Sequence, residues 1–121
     1  MFLKLNHQNF NVYTFSKQLV LECYKLTKSF LPEEKFSMCS QIRRAVLSVH
    51  LNISEGSSRK SLIERKRYFE ISRGSIVQID AALDIAFDLK YLDNYNLEKL
   101  NLSMVNTFKL LSGLIKADLK T

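Results

Sequence analysis

The sequence predicts an all-α protein, an antiparallel up-and-down four-helix bundle, and three observations support this prediction. The 121 residues include three glycines and one proline, fewer turn-forming residues than a β-rich chain of this length needs. Apolar residues recur at intervals of three and four along four long segments, which is the spacing of one helix face. The segments between them are short, and short connections place consecutive helices side by side in opposite directions.

The first helix is predicted from about residue 12 to residue 30. Residues 1–11 form an N-terminal segment, so the bundle domain is expected to span residues 12–121. Pro32 ends the helix, because proline removes a backbone donor and drives the preceding Leu31 out of the helical region. The apolar stripe of this helix consists of Phe15, Leu19, Cys23, Leu26 and Phe30.

The second helix is predicted to begin near Ser37, a suitable N-cap residue, and to end at Gly56, a suitable C-cap residue. Six apolar residues at helical spacing predict its core-facing stripe: Met38, Ile42, Ala45, Val46, Val49 and Ile53.

The third helix is the longest and is predicted from about residue 61 to residue 90. Ser61 and Glu64 have capping-box spacing, and Gly74, inside the helix, suggests close approach of another helix. Two apolar stripes predict burial on more than one side. One consists of Leu62, Phe69, Ile76, Leu83 and Phe87, and the other of Tyr68, Ile71, Ile79, Ala82 and Ala86.

The fourth helix is predicted from about residue 97 to residue 119, after a turn at Asp93 and Asn94. Its inward face should consist of Leu97, Leu100, Met104, Phe108, Leu111 and Ile115. Four apolar residues lie beyond this face: Leu102, Val105, Leu110 and Leu114. Such surplus apolar surface predicts a homo-oligomer, since copies of the chain would cover it. The alternative is that all of these residues fit one core.

The net charge of +6 is concentrated in one part of the chain. Residues 41–73 contain eight basic and three acidic residues, a net charge of +5, and the rest of the chain carries +1. A local basic patch favours an anionic partner, RNA or DNA, and the alternative is a solvated basic helix end. Tyr68 and Phe69 lie beside the patch and could stack on bases or belong to the core. The candidate nucleic-acid-binding residues are Arg43, Arg44, Arg59, Lys60, Arg65, Lys66, Arg67 and Arg73.

A line of polar residues follows the second helix at positions i, i+4, i+8 and i+11: Arg44, Ser48, Asn52 and Glu55. It could contact a ligand or RNA. A hydrogen-bond network that fixes packing between helices or subunits is the favoured interpretation.

A ladder of carboxylates lies on the third helix at Asp80, Asp84 and Asp88. A solvated face is the favoured interpretation, and salt bridges to Arg43 or Arg44 of a neighbouring subunit are the alternative. A cation site is disfavoured because no second acidic motif completes it.

The sequence contains no recognisable catalytic constellation. Arg44 and His50 have the Arg–His spacing of some bundle ribonucleases of the HEPN class. Six residues along a continuous helix, however, separate two side chains by about 120°. With no nucleophile and base in a recognisable pattern, we expect a protein that is not an enzyme and has no catalytic residues, metal site or cofactor.

Cys23 and Cys39 do not form a Cys-x-x-Cys pair, and both lie within apolar helical patterns. They are expected to be buried free thiols in a reducing cytoplasm. No apolar run reaches the ~18 residues that a membrane span requires, and the N-terminus lacks a signal-peptide pattern. A cytoplasmic protein that does not enter the membrane is therefore expected.

Several short motifs between about Tyr24 and Leu119 resemble one known family. They are Tyr-Lys-Leu-Thr-Lys-Ser-Phe at 24–30, Ser-Gln-Ile-Arg-Arg-Ala at 40–45, Asn-Ile-Ser-Glu-Gly at 52–56, Arg-Gly-Ser at 73–75 and Tyr-Leu at 91–92. The chain is thus similar to the small four-helix-bundle proteins encoded in intervening sequences of bacterial 23S ribosomal RNA genes. His50 stands where that family commonly has proline, so an unkinked second helix is expected.

This resemblance implies a ring-like pentamer, since members of the family form such rings. It also implies either binding to structured RNA or a protein partner, because a related protein assists the reverse transcriptase of diversity-generating retroelements. The two functional hypotheses are therefore a basic oligomeric nucleic-acid-binding module and an oligomeric scaffold or accessory protein.

Overall fold

A computed structural model describes residues 2–119 of the chain, with side chains described for residues 2–117. Within that range all regular structure is helical. The long helices are α1 (Asn11–Lys28), α2 (Met38–Ser58), α3 (Leu62–Asp88) and α4 (Glu98–Leu119). Short 3₁₀ helices lie at Asn6–Asn9, before α1, and at Pro32–Glu34, between α1 and α2. The predicted helix bounds differ from these by two residues at most.

The four helices form a bundle in which each helix packs against two neighbours, in the cyclic order α1, α2, α3, α4. Contacts between α1 and α2 show their relative direction. Thr27, near the end of α1, accepts a hydrogen bond from Arg43, near the start of α2. Ser16, near the start of α1, lies against His50, further along α2. The two helices are therefore antiparallel.

The direction also reverses between the later helices. Gly56 of α2 lies against Phe69 of α3, whereas Val49, two turns earlier in α2, accepts a hydrogen bond from Ser72, further along α3. Arg73 of α3 donates to Ser112, near the end of α4, whereas Asp80, two turns further along α3, borders a groove with Met104, about two turns earlier in α4. Three reversals leave α4 antiparallel to α1, so the all-α up-and-down four-helix bundle is confirmed.

The core is one continuous apolar cluster to which all four helices contribute. At the end of the bundle where α1 meets the α3–α4 connection, the rings of Phe30 and Tyr91 lie 5.3 Å apart between centroids. Side chains that are completely buried include Leu19, Cys23, Leu26, Ile42, Val46, Val49, Ile53, Ile79 and Leu111.

Four residues of the predicted buried stripes lie at the surface instead. Phe108 and Leu62 are each 38% exposed, Ile71 is 46% exposed and Phe87 is 64% exposed. On α4 the core face also includes Ser103 and Thr107, which are completely buried. Their hydroxyl groups donate to backbone carbonyls one turn earlier, so these small polar residues occupy the core with their hydrogen-bonding capacity satisfied. The rest of the predicted α4 face is confirmed, since Leu100, Leu111 and Ile115 are buried and Leu97 and Met104 pack against the core. Hydrophobic spacing alone could not identify Ser103 and Thr107 as part of that face.

Capping follows the prediction at α3 and departs from it at α2. The hydroxyl oxygen of Ser61 accepts a hydrogen bond from the backbone N–H of Glu64 at 3.3 Å, as the capping pattern predicts. Ser37 occupies the N-cap position of α2, but its hydroxyl donates to the carboxylate of Glu34 at 2.7 Å and caps no backbone group. The start of α2 is therefore fixed by the preceding 3₁₀ helix.

Gly56 lies inside α2 and does not form its C-cap as predicted, since the helix continues to Ser58. A Cβ atom on Gly56 would lie 2.9 Å from Cε1 of Phe69 and 3.0 Å from Cβ of Tyr68. The glycine is therefore needed where α2 and α3 approach closely. Gly74, predicted to serve that purpose, has no described atom within 4 Å of an added Cβ.

Cys23 and Cys39 are both buried free thiols, as predicted. Burial, with a smaller contribution from the charge of Glu22, raises the pKa of Cys23 to about 12. Burial is also the largest cause of a raised pKa at Cys39, whose Sγ donates to the backbone carbonyl of Thr27 at 3.4 Å. Both thiols are therefore un-ionised at neutral pH.

Candidate nucleic-acid interface

Charge is divided unequally between the two ends of the bundle. The antiparallel order brings together the first halves of α1 and α3 and the second halves of α2 and α4. We call this end (residues 2–19, 49–74 and 109–117) the basic half. It contains ten basic and three acidic residues, a net charge of +7. The other half (residues 20–48 and 75–108) contains seven basic and eight acidic residues, a net charge of −1.

Arg59 organises the connection between α2 and α3 at the tip of the basic half. Its guanidinium lies 3.1 Å from the carboxylate of Glu55 and 3.8 Å from that of Glu64. It also donates to the hydroxyl of Tyr68 at 3.1 Å and lies over that ring, 5.1 Å from the centroid. Tyr68 first, and then the two carboxylates, raise the pKa of Arg59. Arg59 therefore already has partners within the chain on both sides of the α2–α3 connection.

The remaining basic residues of this connection differ in whether they are exposed and whether they form ion pairs within the chain. Lys66 pairs with Glu70 at 3.6 Å. Arg65 is half-buried, and its Nε atom is enclosed without a hydrogen-bond partner among the described residues. Lys60 and Arg67 are exposed and form no ion pair with any described residue. Lys60 and Arg67 are thus the side chains most available to a polyanion.

The other three candidate residues do not belong to this cluster. Arg73 lies further along α3 and donates to the hydroxyl of Ser112 at 3.3 Å. Arg43 and Arg44 lie in the other half, where Arg43 stacks over Tyr24 at 4.7 Å from the ring centroid. Arg44 is exposed. The eight predicted residues therefore do not form one surface: five lie at the α2–α3 connection, and the rest lie elsewhere.

Part of the predicted polar line on α2 joins a hydrogen-bond network with α3. The amide of Asn52 donates to the carbonyl of Ser48 at 2.8 Å and to its hydroxyl at 3.1 Å. That hydroxyl also accepts from Ser75 of α3 at 2.9 Å. Nearby, the buried Ser72 donates to the carbonyl of Val49 at 2.8 Å. The α3 serines were not anticipated, because the prediction considered only α2.

The two ends of the line are separate from this network. Glu55 is exposed and pairs with Arg59, and Arg44 is exposed in the other half of the bundle. The structure therefore brings Ser48 and Asn52 together, but does not bring all four residues of the line into one site.

Neither aromatic residue beside the basic cluster offers a free ring face. Phe69 is 1% exposed and lies in the core. Tyr68 is half-buried, and the guanidinium of Arg59 covers its ring. Stacking of bases on these two side chains, which the sequence left open, is therefore not supported by the structure.

The basic half contains a different group of rings that sequence reasoning missed. His7, on the N-terminal 3₁₀ helix, lies 5.6 Å from Tyr13 of α1 between ring centroids. The ring of Tyr13 lies 4.5 Å from that of His50 on α2. His50 lies 37 positions after Tyr13 and no periodic pattern links the three residues, so the only signal was the rarity of histidine in this chain.

His50 connects this aromatic group to the buried hydroxyl of Ser16, which lies 2.7 Å from Nδ1. Burial, followed by the charges of Lys17 and His7, lowers the pKa of His50. The imidazole is therefore neutral at pH 7. His50 faces α1, whereas Arg44 is exposed on the same continuous helix, so the two residues do not share a site.

An open cleft of about 470 Å³ lies between the N-terminal 3₁₀ helix and the end of α2. Its walls include His7, Gln8, Tyr13, Leu51, Ser54 and Glu55. The cleft adjoins the α2–α3 connection, because Glu55 is the residue that pairs with Arg59.

A second, more apolar groove of about 320 Å³ lies between α3 and α4. It is bordered by Ile76, Val77, Asp80, Met104, Val105 and Phe108. The carboxylate ladder, Asp80, Asp84 and Asp88, is exposed on α3 and forms no ion pair with any described residue.

No cluster of three or more His, Cys, Asp or Glu side chains suited to a metal ion occurs among the described residues. Within residues 2–119, no helix combines the length and apolar content that crossing a bilayer requires.

Comparison with known protein families shows which family has this sequence pattern. The model of the 23S rRNA-intervening sequence protein family matches residues 8–113. The chain belongs to that family. This confirms the resemblance noted in the sequence, and the match begins just before α1 and extends well into α4.

A solved structure of a protein of unknown function from the S23 ribosomal protein family of Bacteroides thetaiotaomicron VPI-5482 has the same fold. It is 24% identical, covers 87% of this chain and 98% of its own, and superposes with a TM-score of 0.77. Among curated proteins none matches this member of the 23S rRNA-intervening sequence protein family.

Proposed function

We propose that this member of the 23S rRNA-intervening sequence protein family is a non-enzymatic, homo-oligomeric protein that binds RNA or another nucleic acid through its basic half. The observation that carries the proposal is the separation of charge, +7 at one end of the bundle and −1 at the other. Such separation concentrates positive potential at one end and favours a polyanion there.

We restrict the proposed contact to the basic residues of the α2–α3 connection. Lys60 and Arg67 are the principal phosphate-binding residues, because both are exposed and without an ion pair among the described residues. Arg65 and Lys66 contribute partly, while Arg59 holds the loop in place. Arg43, Arg44 and Arg73 lie away from this connection and are not part of the proposed contact.

The homo-oligomer is proposed because apolar side chains remain exposed along the α3–α4 groove. Val77 is 56% exposed, Val105 is 39% exposed and Phe108 is 38% exposed. A second copy would cover this surface, and a pentameric ring is the expected form, since it would also bring several basic ends together. The two buried thiols suit a reducing compartment, which for a bacterial protein is the cytoplasm.

The same groove supports a second candidate function, that of a scaffold or accessory protein whose main partner is a protein. Exposed apolar surface bordered by Asp80 is suited to a protein contact as well as to self-association.

A salt titration of RNA binding tests the proposal. The affinity of the purified protein for a labelled single-stranded RNA should fall steeply as salt rises. The double variant Lys60→Gln/Arg67→Gln should bind more weakly, and the magnitude of its salt slope should decrease by about 1.4, or ~0.7 for each phosphate that is no longer neutralised. The matched control Lys28→Gln/Lys99→Gln removes two exposed lysines from the other half and should leave the slope unchanged. Absent or salt-insensitive binding would overturn the proposal and favour the scaffold function.

Sedimentation equilibrium tests the oligomer separately. Val105→Lys should shift the mass toward that of a monomer, because it places a charge in the α3–α4 groove. Leu21→Lys, at an apolar α1 position that is 54% exposed, is the control and should leave the mass unchanged. A wild-type protein that sediments as a monomer at high concentration would contradict self-association.

A further inference from the structure

The cleft between the N-terminal 3₁₀ helix and α2 has the composition of a small-ligand site. Its volume of about 470 Å³ falls within the range of about 300–1,000 Å³ that is typical of such sites. One wall is aromatic, formed by His7 and Tyr13, and the opposite wall, on α2, carries Leu51, Ser54 and Glu55. An apolar and aromatic interior with a few polar groups suits a flat, hydrogen-bonding ligand.

Several polar groups in the cleft are not used within the chain. The hydroxyls of Tyr13 and Ser54 form no hydrogen bond with any described residue. Glu55 binds Arg59 through Oε2 and leaves Oε1 uncommitted. Gln8 accepts the N–H of Leu5 through its carbonyl oxygen, so its amide nitrogen remains free to donate. Donors and acceptors therefore lie together at the edge of an aromatic surface.

The location of the cleft restricts the class of ligand. Glu55 links it directly to Arg59, and the next residue along the chain is the exposed Lys60. A ligand with a planar base and an adjoining phosphate could place the base in the cleft and the phosphate near Lys60. Nucleobases offer both a π-face for stacking and edges with donors and acceptors, whereas a paired base exposes neither its face nor its pairing edge.

We propose that this cleft holds one unpaired base of a single-stranded nucleic acid, with the adjacent phosphate at Lys60. The inference rests on the proposed nucleic-acid function and adds a preference for unpaired over paired strands. Tyr13 and His7 provide the aromatic wall, and the hydroxyls of Tyr13 and Ser54, together with Glu55, contact the edge of the base. The α2–α3 connection alone would bind phosphates of either strand form.

Paired measurements with single-stranded and duplex RNA of equal length test this preference. The wild-type protein should bind the single strand more tightly. Ser54→Leu, which fills the cleft and removes a hydroxyl, should weaken single-strand binding at least about 5-fold, the lower end for loss of one stacked base, with little change for the duplex. Ser40→Leu is the matched control, since Ser40 is also half-buried on α2 but lies in the other half.

A second variant tests the cleft independently, in case Ser54→Leu does not fold. Tyr13→Phe removes a hydroxyl that has no partner among the described residues, so it should leave the fold intact and still weaken single-strand binding. Adenosine monophosphate, titrated into the wild-type protein, should shift the NMR resonances of His7 and Tyr13.

The outcomes separate the two proposals. If the wild-type protein binds neither strand form, the proposed function fails. If it binds both forms equally, both cleft variants bind as the wild type does, and adenosine monophosphate leaves His7 and Tyr13 unshifted, the cleft is not a base site, although phosphate binding by the basic half stands.

Discussion

The hydroxyl oxygen of Ser16 lies 2.7 Å from Nδ1 of His50 and joins α1 to α2 inside the basic half. The same hydroxyl lies 3.0 Å from the backbone carbonyl of Tyr13. Ser16 has one hydroxyl proton, so it can donate to that carbonyl or to Nδ1 of His50, and the tautomer of His50 decides which.

The lowered pKa of His50 predicts that the free energy of unfolding falls under mildly acidic conditions. Burial, Lys17 and His7 oppose protonation in the folded state, so the unfolded chain binds more protons below its ordinary pKa of about 6.5. The stabilisation is fully present above that pH and is lost as the pH falls through the lower folded-state pKa. Urea unfolding between pH 5 and pH 8 measures the effect.

The control for this prediction is His50→Asn, which cannot titrate. Its free energy of unfolding should depend less on pH between 5 and 7 than that of the wild type. Equal pH dependence in the two proteins would show that His50 does not carry the effect.

Gly56→Ala should destabilise the bundle. The added Cβ would lie 2.9 Å from Cε1 of Phe69 and 3.0 Å from Cβ of Tyr68, so α2 and α3 would have to separate. Overpacking lowers the free energy of unfolding by about 1–3 kcal/mol, and the higher helix propensity of alanine offsets about 1 kcal/mol of this loss. A net loss of up to about 2 kcal/mol is expected in urea unfolding.

Gly74→Ala provides the matched comparison. An added Cβ there meets no described atom within 4 Å, so only the helix-propensity gain of about 1 kcal/mol remains. The two alanine variants should therefore move the unfolding midpoint in opposite directions. Stabilisation by Gly56→Ala would mean that the α2–α3 contact relaxes without cost.

Asn52→Leu should reduce stability before it affects any nucleic-acid partner. The variant removes the donor to the carbonyl and hydroxyl of Ser48. Loss of such hydrogen bonding costs about 0.5–1.5 kcal/mol, measured by urea unfolding. RNA affinity should be unchanged in the folded protein, because Asn52 belongs to the α2–α3 network.

Asn101→Leu is the control for that change. Because Asn101 is exposed on α4, this substitution should change the free energy of unfolding by less than about 0.5 kcal/mol. A loss of RNA affinity in Asn52→Leu without a loss of stability would support the alternative that Asn52 contacts the partner.

Cys23 should resist alkylation in the folded protein. Burial raises its pKa to about 12, so at pH 8 only about one thiol in 10⁴ is ionised, even before limited access is considered. Cys39 is also buried, so iodoacetamide followed by mass spectrometry should show almost no adduct at pH 8 and two adducts in urea. Rapid labelling of the native protein would indicate that α1 and α2 open locally.

The sequence determined the helices and the overall topology. Apolar periodicity placed every helix bound within two residues of its position, and Pro32 and Ser61 acted locally as predicted. The short connections then gave the direction of each helix. The family motifs were equally readable, because they depend on residue identity along the chain.

Tertiary packing decided which residues share a site. The role predicted for Gly74 belongs to Gly56, because close approach depends on the shape of the opposing helix and not on the helix that carries the glycine. The buried face of α4 also includes Ser103 and Thr107, which can be buried because their hydroxyls donate to carbonyls of the same helix.

The candidate site itself illustrates the same division. Sequence spacing identified the basic residues around Lys60, but could not show that Arg59 is already bound by Glu55 and Glu64. It also could not show that His7 and His50 both contact the ring of Tyr13, since 43 positions separate the two histidines and the packing of α1 on α2 is needed to bring His50 to Tyr13. The residue pattern within one segment predicts whether that segment forms a helix. A site, in contrast, depends on which side chains from different helices come into contact.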